Sequence, residues 1–439
     1  MKLLFVALGC AKNTVDGERM LYLLTQAGYT PTTHAHEAEV AVVNTCAFLE
    51  SARQEAIAEI LELAQQKQSG KLHTLVVAGC MPQLVKDEIL VEMPEVDGIV
   101  GCGRVEEAVE IINNAVAKQR PVAVDGLDSP VVVGERLLSS SPASAYLKIS
   151  EGCDNHCAYC LIPKIRGPFR SAPMEDLVTS AEKLVQNGVR ELIIVSQDTT
   201  RYGEDLYGKP KLAELLEKLC EIEGLHWIRL HYLYPSLLDD RLIDVITKQP
   251  KVVKYLDIPI QHVDDGVLNV MNRPDSYEQL DALFAKLRGK IDNVVLRTTV
   301  MVGFPSEDDA AFERLYRFLR KHKIERAGVF VYSPEEGTPA AAMSGQVDET
   351  VAAERQAQLQ QLQLDLMDEF NTQKIGTTIE VLCEGYDAYA ECWFGRSYAD
   401  SPEVDGKVFF IADGDVNAGD FVSVAIEDVV DGDLYGEAV

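Results

Sequence analysis

Positive charge is what this 439-residue chain is short of: 41 Lys and Arg stand against 70 Asp and Glu, a formal net charge of −29. Nucleic-acid binding is driven largely by Lys and Arg displacing counterions, so the balance argues against a phosphate backbone as main partner and favours a basic one. Long apolar runs are missing too. No stretch approaches the roughly 18–20 residues of a membrane-spanning helix, so no membrane partner is expected. The opening MKLLFVALGC places a Cys after Leu8-Gly9, as a lipoprotein signal would. Its apolar stretch Leu3–Leu8 is nevertheless shorter than the roughly 7–15 residues of a signal's hydrophobic region, and polar, helix-like residues follow. It reads as a first strand. The ten cysteines cluster in a way that points to metal ligation in a reducing cytoplasm rather than to disulfides.

With 47% hydrophobic residues the chain suffices for about three domains of roughly 100–200 residues, and the expected fold class is multidomain α/β. From 1 to 116, Leu3–Leu8, Glu39–Val43, Leu72–Ala78 and Gly98–Val100 read as strands. Between them, Glu18–Ala27, Ser51–Gln66, Leu84–Glu92 and Arg104–Val116 read as helices. The alternation predicts an N-terminal parallel α/β sandwich, its sheet covered on both faces. Residues 117–143, with Pro130, Pro142 and the run Ser139–Ser141, read as linker. Over 144–374 the expected strands are Tyr146–Ser150, Glu191–Ser196, Trp227–His231, Tyr255–Pro259, Val294–Val302 and Ala327–Tyr332. Six strands with intervening helices fit a partial (β/α)6 barrel better than a full eight-fold one. An amphipathic helix, Asp348–Lys374, closes this region. From 375 to 439, short strands at Thr378–Cys383, Ala390–Phe394, Lys407–Ile411, Phe421–Ile426 and Leu434–Ala438 suggest a small OB-like β-barrel. From residue 377 onward only Arg396 and Lys407 are basic against fifteen acidic residues, a net −13. A barrel so acidic suits a basic protein better than RNA.

The strongest motif is Cys153-Asp154-Asn155-His156-Cys157-Ala158-Tyr159-Cys160, in a loop after the first barrel strand, at the end where barrel chemistry gathers. Three close thiolates can hold three irons of a [4Fe–4S] cluster and leave the fourth open, unlike all-Cys ligation. A zinc site with His156 as fourth ligand is the alternative. A second set is Cys10, Cys46 and Cys80, each just past an expected strand and ahead of a helix. Ends of neighbouring parallel strands share one sheet edge, so three distant cysteines can converge there; singly, each would be a small buried hydrophobe. Cys102 has a similar offset and is a rival fourth ligand, whereas Cys220, Cys383 and Cys392 read as packing residues.

CxxxCxxC in that position is the signature of the radical S-adenosylmethionine (SAM) superfamily, which this region resembles. The resemblance implies that SAM chelates the open iron and is cleaved to a 5′-deoxyadenosyl radical, a hydrogen abstraction reagent no side chain can replace. The chain as a whole resembles the methylthiotransferase family, the C-terminal barrel matching its TRAM domain. The supporting stretches are LGCAKNTVDGERM, NTCAF, AGCMPQ, SEGCDNHCAYCLIPKIRG, DIPIQH and TTVMVGFPSE. VSQDTTRYG and GRSYADSPEVDG point to the branch that methylthiolates the β-carbon of an aspartate in small-subunit ribosomal protein S-twelve, rather than to the branch acting on tRNA adenosine. The resemblance implies two [4Fe–4S] clusters, on Cys153, Cys157 and Cys160 and on Cys10, Cys46 and Cys80. It also implies two SAM molecules, as methyl donor and as radical source, and an electron donor such as flavodoxin or ferredoxin. A monomer is expected, with RNA not a direct substrate. Cys102 falls outside the family's three-Cys pattern.

Other candidates are weaker. Gln197-Asp198 follow the second barrel strand, where the resemblance to the superfamily implies a motif that holds the SAM amino group; a capped strand end is the alternative. Arg297 offers a bidentate contact to the SAM carboxylate, or else a barrel-rim ion pair. Tyr159 is expected beside the cluster or adenine, and Gly303-Phe304-Pro305 lets backbone approach the adenosine or simply turns. Arg166 and Arg170 either tune the cluster and SAM or form a solvated positive face. Gln261-His262 line the cavity or stay buried and satisfied.

Overall fold

Runs such as VAVVNT (40–45) and TLVVAG (74–79) are buried at every residue, as strands covered on both faces must be. They form the centre of an all-parallel sheet of β1 (Lys2–Ala7), β2 (Thr30–Thr32), β3 (Val40–Thr45), β4 (Thr74–Gly79), β5 (Gly98–Gly101) and β6 (Val122–Ala123). Its order is β2-β1-β3-β4-β5-β6. One face packs against helix Glu50–Ser69, the other against helices Ala11–Gln26 and Ala108–Val116. The computed structural model describes residues 1–439 except positions 87 and 140, with Ser69 described by its backbone alone. Asp87, inside the stretch expected as the third helix, and Ser140, inside the expected linker, lie outside the described residues.

Three local expectations change. The first helix begins at Ala11, seven residues before its expected start, because Lys12, Asn13, Asp16, Gly17 and Glu18 are buried although mostly polar. The stretch 84–92 is not one helix: Cys80–Val85 ends at Lys86, whose φ of +52° cannot continue it, and Glu88–Glu92 follows separately. Part of the expected linker is strand β6, paired with β5. Its other described residues lie outside helix and strand but are strapped down. Val131 is buried in the next core, and Arg136 and the Ser139 N–H donate to Glu18 at 3.1 and 2.9 Å.

The second sheet starts at β7 (Ser144–Lys148). A short antiparallel pair follows, β8 (Ser150–Glu151) with β9 (Arg170–Ser171). Then come β10 (Glu191–Val195), β11 (Trp227–Leu230), β12 (Val252–Asp257), β13 (Val295–Val302) and β14 (Arg326–Val331). The order β7-β10-β11-β12-β13-β14, all parallel, is an open six-stranded barrel. Alternation divides its faces. Ala145, Leu147, Leu192 and Ile194 join the helix-covered core, while Tyr146, Ile193 and Val195 pack on Val15 of the first helix. The N-terminal sheet thus lends its first helix to cover the barrel's other face. Helix Glu349–Thr372, capped by Asp348, buries Leu359, Leu362 and Leu366 in the same core.

The last five strands, β15 (Thr378–Asp387), β16 (Cys392–Ser397), β17 (Val408–Ile411), β18 (Phe421–Val430) and β19 (Asp433–Ala438), close into a barrel in the order β15-β16-β17-β19-β18. It docks where the strands of the second sheet begin. Arg396 donates to Glu191 at 2.6 Å, and Glu191 also receives Arg229 at 2.8 Å, all buried. One of this barrel's two cations therefore faces inward.

Candidate metal and cofactor site

The carboxyl ends of β1, β3 and β4 share one edge of the first sheet, and Cys10, Cys46 and Cys80 leave from that edge. Glycines let their loops close up. Gly9 has φ +103° and a Cβ there would stand 2.9 Å from Cys46 Cβ; at Gly79, φ +93°, it would stand 2.5 Å from Asn44 Oδ1. Asn13 Nδ2 donates to the carbonyls of Leu8 at 2.6 Å and Thr45 at 3.3 Å, joining two of the loops. Burial pushes the Cys46 thiol up, and Cys80 and Cys10 add to this as neighbours.

Cys102 is drawn to the same edge. Gly79 and Gly101 are register partners in β4 and β5, so Cys80 and Cys102 occupy equivalent places, and Cys102 donates toward Cys80 Sγ at 3.9 Å. That hydrogen bond, aided by Arg166 Nη2 at 3.2 Å, brings Cys80 down to about 6, while Cys102 is pushed up.

The 153–160 loop is held from four sides. Gly152, φ +76°, has no room for a side chain, since a Cβ would lie 2.0 Å from the Pro168 carbonyl. The Cys153 N–H reaches the Gly167 carbonyl at 3.2 Å, and the Ala158 N–H that of Met271 at 2.9 Å. Asn155 Nδ2 donates to Asp198 at 2.9 Å, and Thr200 steadies that carboxylate at 2.7 Å. Cys160 Sγ accepts from the Ile162 N–H at 3.4 Å. Burial raises Cys153 to about 11 and Cys160 to about 12, so thiolates here call for a cation. His156 is exposed, and its carbonyl is held by Asn272 at 2.9 Å. Among the described residues no three His, Cys, Asp or Glu side chains converge as a single metal ion would need.

Between the two thiol groups runs a buried ionic seam. Lys148 pairs with Asp16 and, at 2.6 Å, with Glu151; Arg166 Nη1 reaches Asp16 at 2.5 Å and Glu151 at 3.2 Å. Burial alone would raise the Glu151 carboxyl, but Lys148 and Arg166 hold it below the usual carboxylate range. Gln197 Nε2 donates to Glu151 at 2.8 Å, while its buried Oε1 has no hydrogen-bond partner among the described residues. Sequence reasoning gave Asp16, Lys148 and Glu151 no role of their own, although LGCAKNTVDGERM contains Asp16 and SEGCDNHCAYCLIPKIRG contains Glu151.

The other expected residues divide. Arg297 donates to Asp257 at 2.8 Å in an ion pair at the barrel rim. Tyr159 meets Phe304 edge-on at 6.2 Å in a small apolar cluster with Met271 and Tyr332. Gly303 makes room for packing: a Cβ would lie 2.5 Å from that of Ala352 on the long helix. Arg170 ties down the strap through the Ser129 carbonyl at 2.6 Å. His262 is wholly buried, its Nδ1 accepting from the Asp264 N–H at 3.0 Å, and burial lowers it to about 4. Cys383 is core, and Cys220 packs at the edge of the barrel core.

Three family models match in chain order. They are an uncharacterized protein family, UPF0004, over residues 2–101, the radical SAM superfamily over 147–319 and the TRAM domain over 375–439. The ribosomal protein uS12 methylthiotransferase RimO of Pelotomaculum thermopropionicum is 47% identical over 444 residues, covering 100% of this chain and 99% of that protein. The protein of the same name from Geobacter sulfurreducens is 45% identical over 442 residues, covering 100% and 98%. Among solved structures, the radical SAM methyltransferase TsrM of Kitasatospora setae, with cobalamin and a [4Fe–4S] cluster bound, aligns with TM-score 0.56 at 12% identity, covering 77% of this chain and 73% of that one. The cobalamin-dependent SAM radical enzyme OxsB aligns with TM-score 0.53 at 12% identity, covering 84% and 56%. At that identity the two structures share the fold. The full-length relatives show more: the chain belongs to the RimO family of radical SAM methylthiotransferases.

Proposed function

We propose that this chain methylthiolates the β-carbon of an aspartate in ribosomal protein uS12, using two [4Fe–4S] clusters and two SAM molecules. The observation that carries the reading is the 47% identity, over the whole chain, to a relative of that name. Cys153, Cys157 and Cys160 would hold the SAM-binding cluster, and Cys10, Cys46 and Cys80 the auxiliary one. Soft, largely half-buried thiols in threes suit iron–sulfur ligation, and the Ile162 N–H on Cys160 and the Arg166 guanidinium on Cys80 are the hydrogen bonds that tune such sulfurs. Gln197, Arg297 and Tyr159 would hold SAM; the unpartnered Oε1 of Gln197 suits an ammonium donor. Once bound, these groups supply radical C–H abstraction and a transferable sulfur. The chain's own part is to fix both thiol groups on one rigid seam, to exclude water from it and to present an acidic barrel to a basic protein. A flavodoxin or ferredoxin would deliver electrons, the enzyme acting as a cytoplasmic monomer.

Mass spectrometry of uS12 from strains with and without the gene tests this. A methylthio group on one aspartate, present only with the gene, is the expected result. Unmodified uS12 in both strains, with a methylthio nucleoside gained in tRNA, would overturn it.

A further inference from the structure

Two lysines, Lys148 of the seam and Lys12, are buried, and they are treated differently. Lys148 has two carboxylates. Lys12, only 7% exposed, has no carboxylate within ion-pair distance among the described residues. Its ammonium instead lies 3.4 Å from the centroid of the Tyr232 ring. A cation–π contact returns part of the cost of burying an ammonium, far from all of it.

The position is built. Tyr232 has φ +58°, a left-handed backbone rare for a bulky residue, and is held there at both ends. Its N–H donates to Asp257 at 3.1 Å, and its carbonyl accepts from the Thr199 N–H at 3.1 Å. Asp257 is fixed in turn by Arg297. Lys12 stands two residues after Cys10, in the first turn of helix Ala11–Gln26. The Tyr232 loop is joined to the other thiol group: the Tyr234 N–H donates to Thr200 at 3.0 Å, Thr200 to Asp198, and Asp198 receives Asn155 of the cysteine loop. The ammonium therefore lies between the helix that follows Cys10 and a loop tied to that of Cys153, Cys157 and Cys160.

We infer that Lys12 is the anchor for a carboxylate of the protein substrate, and that Tyr232 positions it. The inference rests on the proposed aspartate substrate and names what recognises it. A lysine is a compact charge with three donors, which a carboxylate completes and a neutral nucleobase does not. Attached to the carbon next to the reacting one, the carboxylate would place that carbon beside Lys12 by a single charge-assisted contact. It would also make the site discriminate Asp from Asn.

The test uses the anaerobic, cluster-loaded enzyme and two forms of uS12: the natural protein, and one with Asn at the aspartate that mass spectrometry identifies as modified. Wild-type enzyme should bind the Asp form about tenfold or more tightly, the scale of a charge-assisted hydrogen bond. Lys12→Met should bind both forms alike, with KM for uS12 raised, while Lys12→Arg keeps part of the preference. Iron content and cluster absorbance equal to wild type establish that the variants are loaded and folded. Equal affinity of wild-type enzyme for both forms, or an undiminished Asp preference in Lys12→Met, would overturn the inference. Either result with uS12 still methylthiolated overturns the inference alone; unmodified uS12 overturns the function it rests on.

Discussion

Arg166 reaches Cys80 with one nitrogen and Asp16 and Glu151 with another, so one planar guanidinium joins a thiol of the first sheet to the base of the barrel's cysteine loop. Cys102 donates toward Cys80 Sγ at 3.9 Å. These roles predict different outcomes for cysteine variants. If the chain holds the two clusters proposed, replacing Cys10, Cys46 or Cys80 by Ala should remove about half of the bound iron and abolish methylthiolation. Cys102→Ala should leave iron per chain and activity near wild type. Iron loss in Cys102→Ala matching that of Cys80→Ala would make Cys102 a ligand.

Strand ends and the helices that follow them set where the thiols stand. β4 runs straight into helix Cys80–Val85 through Gly79, whose left-handed backbone turns the chain against Asn44 and Thr45. Gly79→Ala would place a methyl 2.5 Å from Asn44 Oδ1 and 2.7 Å from the Thr45 carbonyl in a conformation only Gly adopts easily. The expected cost is about 1–3 kcal/mol, with Cys46 and Cys80 forced apart. Denaturant titration and iron content should fall together. A normal iron complement would mean that the edge tolerates the shift. The helix from Ala11 makes the complementary point, because its first two turns are amphipathic toward charge rather than toward oil. Hydrophobic periodicity is blind to a face of that kind.

Across the whole molecule, the C-terminal barrel is fastened by a buried carboxylate. Burial by itself would raise Glu191; Arg396 and Arg229 overcome it and hold the group at about 2, against an ordinary 4.5. A depressed carboxylate stabilises the fold above its unfolded pKa, and that stability is lost as pH falls through the folded one. The loss should therefore fall between about pH 4.5 and about pH 2. Trp227, edge-on to Phe421 of the barrel at 4.8 Å, is the natural fluorescence reporter. Glu191→Gln should lack this acid limb and, with two arginines left short of a partner, be less stable by about 3–5 kcal/mol at neutral pH. An unchanged acid limb in that variant would place the titrating carboxylates elsewhere.

The sequence by itself determined the layered architecture, the places of Cys10, Cys46 and Cys80 just past strand ends and of Cys153, Cys157 and Cys160 in one loop, and the sign of the C-terminal barrel's charge. These are local properties: strand and helix periods, the offset of a Cys from a strand end, and the tally of ionisable side chains. Tertiary structure decided which of the remaining polar residues matter. Lys148 finds Asp16 across 132 positions and Arg166 finds it across 150, and no local pattern records such pairings. Arg297 pairs with Asp257, Gly303 stands against Ala352 of the long helix, and Cys102 donates toward Cys80, each contact set by another segment of the chain. Lys12 is the clearest case. In the sequence it is an ordinary charged residue of a helix start; folding buries it and gives it a ring in place of a carboxylate, since burial and counter-charge are set by what the rest of the chain brings alongside.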